Sequence, residues 1–208
     1  MRSRATTASA SANLDRDVPS HDGGAEVLSA ALTLAKERVA RTHTLILKVV
    51  GDLDDAQLAA HPSPRAHSAG WTLWHIARCA DKFAAEASNE ATREIWATEG
   101  LARRWGLDET VLGSNGAGTG VSDEIAATLA PPRKDDLIAY AKRSFAAVES
   151  LANGLDETAL AREFDSFFSD GRATVGQALF TCITHDNRHL GELEYIKGLI
   201  GLRGTATR

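Results

Sequence analysis

Two histidines near the end of the chain stand four residues apart in a segment with helical periodicity. His185 and His189 therefore project from the same face of one helix, one turn apart. That spacing lets two imidazoles reach one divalent metal ion without distortion of the backbone. A third histidine, His75, follows Trp71 and Trp74 in another apolar helical segment. Three histidines from two helices leave a coordination position open, which is the form of a catalytic metal site.

Histidines on apolar helix faces also occur as core residues that make a single hydrogen bond. The pair differs from a lone histidine, because two buried imidazoles one turn apart are unfavourable unless each nitrogen finds a partner. The segment is not the zincin motif, since Asp186 stands where that motif has a glutamate. His43 is a rival third ligand, although one turn after Val39 it also fits a polar residue at the edge of an apolar stripe.

Three further side chains bear on the metal hypothesis. Glu192 lies three residues after His189 and could orient a histidine or move a proton, but a solvent-facing glutamate fits equally well. Cys79 follows His75 by one turn and Cys182 precedes His185 by three residues, so either could close the site as a fourth ligand. Imidazole ligands suit zinc, nickel, copper and iron alike, so the residues leave the identity of the metal open.

Four long helical patterns must position these residues. They run over Glu26 to Val50, Ser68 or Thr72 to about Asn89, about Lys134 to Asn153, and Thr174 to about Ile200. The second and third are joined by a long connection with a glycine-rich stretch at 113–120. A short hairpin or irregular segment is expected around 164–168, before the turn at 170–171. Residues 1–24 are rich in Ser, Ala, Thr and Asp and predict a disordered tail, followed by one bundle domain over 25–204.

Composition excludes several classes of partner. The 208 residues carry a formal charge of −5, whereas nucleic acid and acidic membrane surfaces require concentrated positive charge. No apolar run approaches the roughly 20 residues of a membrane span. Two cysteines inside helical patterns fit reduced thiols better than a disulfide framework. Arg2 and Arg4 precede no apolar segment, so we expect no secretory signal and a cytoplasmic location.

Two blocks of the chain resemble the DinB-like superfamily, the YfiT-type metal-binding four-helix bundles. The first block places small residues and tryptophans before a histidine, as in Ala69–Arg78, which reads AGWTLWHIAR. The second has His-x-x-x-His followed by Gly and a Leu-rich tail, as in His185–Leu199, which reads HDNRHLGELEYIKGL. The likeness spans nearly everything after the tail, and its two blocks are specific only in combination.

The resemblance implies an all-α four-helix bundle with up-down-down-up connectivity and a long crossover. It places the family's three metal-binding histidines on His75, His185 and His189, with zinc or nickel favoured and iron allowed. Many members are dimers, so a homodimer is compatible with the resemblance. Characterised members include transferases and isomerases that use mycothiol, bacillithiol or glutathione.

The function indicated by this resemblance is a metal-dependent transferase that adds a low-molecular-weight thiol to a small electrophilic molecule. Arg188 or Arg78 could bind a carboxylate of the thiol. A thiol-dependent isomerase of the maleylpyruvate type is one alternative, in which the thiol adds and leaves without net transfer. A stress-associated bundle that binds metal without turnover is another. Structural zinc normally has four protein ligands, so an open position disfavours this last alternative.

Overall fold

The computed structural model describes residues 22–88, 93–130, 132–169 and 171–205, so 1–21 of the predicted tail lie outside the described residues. Their helices are α1 (Asp22–Gly51), α2 (Asp55–Ala59), α3 (Ala69–Ala87), α4 (Ile95–Thr98), α5 (Leu101–Arg104), α6 (Asp123–Thr128), α7 (Lys134–Asn153), α8 (Glu157–Ala161) and α9 (Val175–Leu199). Two strands, β1 (Glu163–Ser166) and β2 (Gly171–Thr174), form an antiparallel pair. The chain is mainly helical, as predicted, and its four long helices match the four sequence patterns.

Side-chain caps set the beginning of the two helices that carry the histidines. The Ser68 hydroxyl accepts a hydrogen bond from the Trp71 amide and starts α3. Thr174 and Gln177 form a capping box at the start of α9, in which each side chain accepts from the other residue's amide. Both caps fall where the sequence predicts a helix to begin, since a hydroxyl residue stands before each apolar pattern.

Helix α3 lies at the centre of the fold. It packs against α7 and α9, while α1 packs against α9 and α7. Most α3 side chains are buried on every side of the helix, including the polar residues Arg78 and Asp81. The sequence predicted one apolar face for this helix. The structure surrounds it instead, because the connection between α3 and α7 folds back over the side that the other long helices leave uncovered.

A buried polar cluster attaches this connection to α3. The Asp81 carboxylate accepts hydrogen bonds from the amides of Ile95 and Trp96 at 2.9 Å and from the Tyr140 hydroxyl at 3.0 Å. Arg78 donates to Glu94 and lies over the ring of Trp96. Burial raises the pKa of Asp81, and the hydrogen bonds that it accepts oppose that rise. Asp81 thus joins α3, α4 and α7 at one point.

The small hairpin lies beside the carboxyl-terminal half of α3. Phe164 pairs with Ala173 across the two strands, and the connecting turn carries Phe167 and Phe168. The Phe167 amide donates to Glu86 of α3, and Phe168 packs against Phe83. The hairpin therefore delivers two aromatic rings to one end of the helical core.

No helix within the described ranges is long and apolar enough to cross a membrane. The helical class is confirmed, whereas the up-down-down-up order and the domain limits 25–204 stay predictions.

Replacing Tyr140 by phenylalanine is expected to lower the free energy of unfolding by about 1–2 kcal/mol, because Asp81 loses a buried donor. Urea unfolding measures this difference. Tyr195→Phe is the matched control, since Tyr195 is 69% exposed and its loss of a hydroxyl should change stability by less than about 0.5 kcal/mol. Equal effects of the two substitutions would contradict a role for Tyr140 in the cluster.

Candidate metal centre

Three histidines from two helices meet at one point in the fold. His75 of α3 and His185 and His189 of α9 each place a ring nitrogen within 4.8 Å of the other two. The Nε2 atoms of His75 and His185 are 3.0 Å apart. His75 and His189 are buried, and His185 is partly buried. The structure therefore brings together the three histidines that the sequence singled out, and this group could hold a metal ion.

The other ring nitrogen of each histidine faces an acceptor. His75 Nδ1 lies 2.5 Å from the Ala117 carbonyl oxygen, His185 Nδ1 lies 3.0 Å from Asp186 Oδ1, and His189 Nδ1 lies 2.6 Å from Glu192 Oε2. A carbonyl or carboxylate oxygen only accepts hydrogen bonds, so each Nδ1 carries the proton. In the neutral form of each ring, Nε2 then carries a lone pair.

Neutral rings in these tautomers would bring three Nε2 lone pairs together, an arrangement that a cation between them stabilises. Burial lowers the pKa of the His75 imidazole to about 3, so this ring is neutral near pH 7 and its Nε2 carries a lone pair. The Arg188 guanidinium donates to His189 Nε2 at 3.3 Å and satisfies one of the three. His75 Nε2 and His185 Nε2 still face each other. The donor set and its tautomers therefore fit a divalent metal ion.

The three histidines form the floor of an open cavity of about 640 Å³. Its walls carry Trp71, Phe167, Phe168, Thr184 and Arg188. Among the described residues, the lining includes no Asp, Glu or Lys, so Arg188 is its one formally charged side chain apart from the histidines. A small molecule with an apolar part and an acidic group matches these walls.

A glycine brings the acceptor for His75 into place. Gly118 has φ +94°, and a Cβ atom there would lie 2.9 Å from Trp71 Cζ2 and 3.0 Å from Trp74 Cζ3. The absence of a side chain lets the loop lie flat on both indoles, which sets the Ala117 carbonyl against His75. The glycine-rich stretch of the sequence thus closes one side of the site.

The remaining candidates from the sequence occupy other positions. His43 is not part of the histidine group; its two nitrogens face Glu149 and Asp186. The Cys182 thiol contacts Asp186 at 3.7 Å. Cys79 lines the cavity with its sulfur 3.9 Å from His75 Nδ1, and burial raises the pKa of its thiol. Within the described ranges, the convergent group includes neither cysteine.

Glu192 holds the ring of His189, as one of the two interpretations of the sequence expected. Its hydrogen bond from His189 lowers the pKa of the Glu192 carboxyl below its ordinary value, so the group is ionised near pH 7. It does not line the cavity above the histidines. This geometry supports an orienting role for Glu192 rather than direct contact with a substrate.

Sequence reasoning missed three parts of the site. The Ala117 carbonyl carries no side-chain signal, so nothing in the sequence marks it. The cavity walls formed by Phe167 and Phe168 depend on how the hairpin folds back. Asp186 was noted only as a departure from the zincin motif, although its place directly after His185 was the available signal.

Gly118→Ala is expected to destabilise the protein by about 1–3 kcal/mol more than Gly120→Ala. Both glycines have positive φ, but a Cβ at Gly120 meets open space, whereas at Gly118 it meets two indole rings. Both variants therefore carry backbone strain, and only Gly118→Ala adds a collision with the indole rings. Urea unfolding of the two variants provides the comparison, and equal losses would show that the loop does not rest on the tryptophans.

Comparison with solved structures shows a similar overall fold. A crystal structure of a conserved protein from Enterococcus faecalis superposes with a TM-score of 0.67 at 23% sequence identity, covering 81% of this chain and 95% of that chain. At that identity the likeness shows the fold alone. No curated protein is similar enough to count as a match.

The family model of the DinB superfamily matches residues 38–193, about three quarters of the chain. The matched span contains α3, the loop that closes the site and α9 as far as residue 193, and therefore all three histidines. The chain belongs to the DinB superfamily.

Proposed function

We propose that His75, His185 and His189 bind one divalent metal ion and that the protein joins a low-molecular-weight thiol to a small electrophile. The observation that carries this proposal is the convergence of three histidine ring nitrogens in the lining of an open cavity. Zinc and nickel are the favoured ions, and iron is also compatible with three imidazoles. Mycothiol, bacillithiol and glutathione define the class of thiol.

The openness of the site favours catalysis over a structural role. Structural zinc sites are closed by four protein ligands, whereas catalytic sites keep one position for water or substrate. Three histidine nitrogens converge here, and the cavity gives a small molecule access to them. A bundle that binds metal without turnover, the non-enzymatic alternative, would not require such a cavity.

A divalent ion at the three histidines would lower the pKa of a coordinated thiol, so that the thiolate is available near neutral pH. The sulfur would then form a bond to an electrophilic carbon. In an epoxide the ring C–O bond breaks and its oxygen takes up a proton, whereas in an activated alkene the π electrons move to the neighbouring carbon, which takes up the proton. The thiol gives its proton to water and the product takes one back, so that thiol and electrophile combine without a leaving group. Arg188 offers two donors to an acidic group of the bound molecule. Trp71 and Phe168 cover its apolar part and exclude water from the reacting atoms.

The thiol-dependent isomerase is the second candidate. Its thiol adds to a conjugated acid, allows rotation about the former double bond and then leaves. The same cavity suits this reaction, since Arg188 and the aromatic walls would hold an unsaturated acid equally well. Mass analysis of products separates the two, because only the transferase yields a stable thioether.

The up-down-down-up order is also proposed. The Thr42–Asn187 and Asp52–Lys197 contacts advance in the same direction along α1 and α9, as this order requires. Lys36 of α1 donates to the carbonyl of Asn153 at the end of α7, and Lys134 at the start of α7 donates to the carbonyl of Gly51 at the end of α1. These contacts support antiparallel packing of α1 and α7. Cytoplasmic location and a homodimer stay predictions from the sequence.

His75→Ala and His185→Ala are expected to lose about one equivalent of divalent metal, together with the thermal stabilisation that metal gives to the folded state. Elemental analysis of untagged protein, purified without chelators, measures the first effect, and thermal unfolding with and without zinc measures the second. His61→Ala should keep its metal, since His61 donates to the Ala66 carbonyl away from the site. Full metal content in both site variants would refute the ligand assignment.

Arg188→Gln is expected to raise KM for acid-bearing substrates about 10–100-fold, because an ionic hydrogen bond is worth about 1.5–3 kcal/mol. Metal content should not change, since glutamine replaces no ligand. Arg172→Gln on the exposed hairpin is the matched control. Steady-state kinetics with mycothiol, bacillithiol or glutathione and a panel of epoxides and activated alkenes provides the measurement. An unchanged KM for every acidic substrate would exclude Arg188 from substrate binding.

A further inference from the structure

A line of hydrogen bonds crosses the bundle and ends at the histidine group. It begins at Glu149 of α7, whose Oε1 lies 2.8 Å from His43 Nδ1. His43 Nε2 lies 3.3 Å from Asp186 Oδ2, and Asp186 Oδ1 lies 3.0 Å from His185 Nδ1. Three helices, α7, α1 and α9, are joined in this way. None of these contacts was anticipated from the sequence.

The middle of this line is fully enclosed. His43 and Asp186 are each 2% exposed, and the His43 ring stacks on Phe145 with centroids 4.1 Å apart. A carboxylate in such surroundings is unfavourable unless both of its oxygens have donors. Asp186 meets that condition. Its Oδ1 atom lies beside His185 Nδ1, and its Oδ2 atom lies beside His43 Nε2 and the Cys182 thiol.

Asp186 is the enclosed acceptor of the three. It is 2% exposed, and its two oxygens lie within hydrogen-bond distance of His185 and His43. The acceptors of the other two ligands differ from it. His75 donates to the neutral Ala117 carbonyl, and His189 donates to Glu192, whose side chain is 46% exposed.

We infer that Asp186 and His43 are positioning residues that fix the ring of His185 and strengthen its Nε2 as a metal ligand. The inference rests on the metal site proposed above and deepens it. A buried carboxylate on Nδ1–H holds the tautomer and makes the opposite nitrogen more electron-rich. Solvent screens a buried charge little, so this carboxylate polarises His185 more than a half-exposed one would. His43, anchored by Glu149, keeps the carboxylate from turning away.

A second contact between α1 and α9 allows the positioning of His185 to be distinguished from the attachment of one helix to the other. Lys197 of α9 donates to Asp52 of α1 at 2.5 Å, away from the histidine group. Asp52→Asn therefore weakens the attachment of α1 to α9 without touching the line that ends at His185. It is the matched control for loss of an acidic side chain.

The decisive variants are Asp186→Asn and His43→Phe. Asparagine keeps the size of the side chain and one acceptor but removes the charge, while phenylalanine keeps the stack on Phe145 and removes both ring nitrogens. Zinc affinity is measured by competition with a chromophoric chelator, and the ligand field is read from the visible spectrum of the cobalt-substituted protein. Circular dichroism and the unfolding midpoint of the metal-free protein establish that each variant is folded.

Asp186→Asn is expected to weaken zinc binding about 10–100-fold and to shift the cobalt bands, with His43→Phe changing both in the same direction. Asp52→Asn should leave both unchanged, whatever it does to the unfolding midpoint. Zinc affinities of Asp186→Asn and His43→Phe within twofold of wild type, with unshifted cobalt bands, overturn this inference alone. A wild-type chain that binds no zinc overturns the proposed site and the inference together. If Asp186→Asn fails to fold, the same zinc and cobalt measurements on His43→Phe and Glu149→Gln test the inference. The Glu149 side chain is partly exposed, so its substitution leaves the core intact.

Discussion

Each of the three histidines needs an acceptor for its Nδ1–H group, and much of the surrounding structure supplies those acceptors. His75 depends on a backbone carbonyl brought in by the loop at 113–120, which can approach because Gly118 lies flat on two indoles. His185 depends on a buried carboxylate, which in turn requires His43 from another helix. Fixing the three protons on the outer nitrogens turns the inner nitrogens into a set of lone pairs suited to a cation.

The buried polar cluster on α3 holds the connection that carries the acceptor of His75. Arg78 donates to the Gly116 carbonyl, one residue before the carbonyl that meets His75, and Asp81 fixes the start of α4. Burying these charges is costly unless each is paired, and here every one has partners from the connection that it holds. The connection between α3 and α7 is thus part of the site rather than a simple link between helices.

The cavity above the histidines has its own electrostatic character. Within the described residues its lining carries Arg188 and no carboxylate, because Glu192 is turned toward His189 and Asp186 is buried behind His185. A divalent ion would add to the positive charge at its floor. This charge distribution is the reason for proposing an acidic substrate, and the rings of Trp71, Phe167 and Phe168 line the remaining space.

The four long helices and the pair His185 and His189 were readable from the sequence, because both depend on local spacing, whereas His75 was added to the pair from its apolar segment and from the resemblance to the DinB-like superfamily. Apolar periodicity and the caps at Ser68 and Thr174 fix where helices form, and four-residue spacing places His185 and His189 on one face. The acceptor of His75 and the residue behind Asp186 were not readable. The Ala117 carbonyl and His43 lie 42 and 143 residues from the side chains that they contact, and their approach depends on how helices and loop pack. Tertiary structure alone therefore decided that His43 lies outside the histidine group and against Asp186.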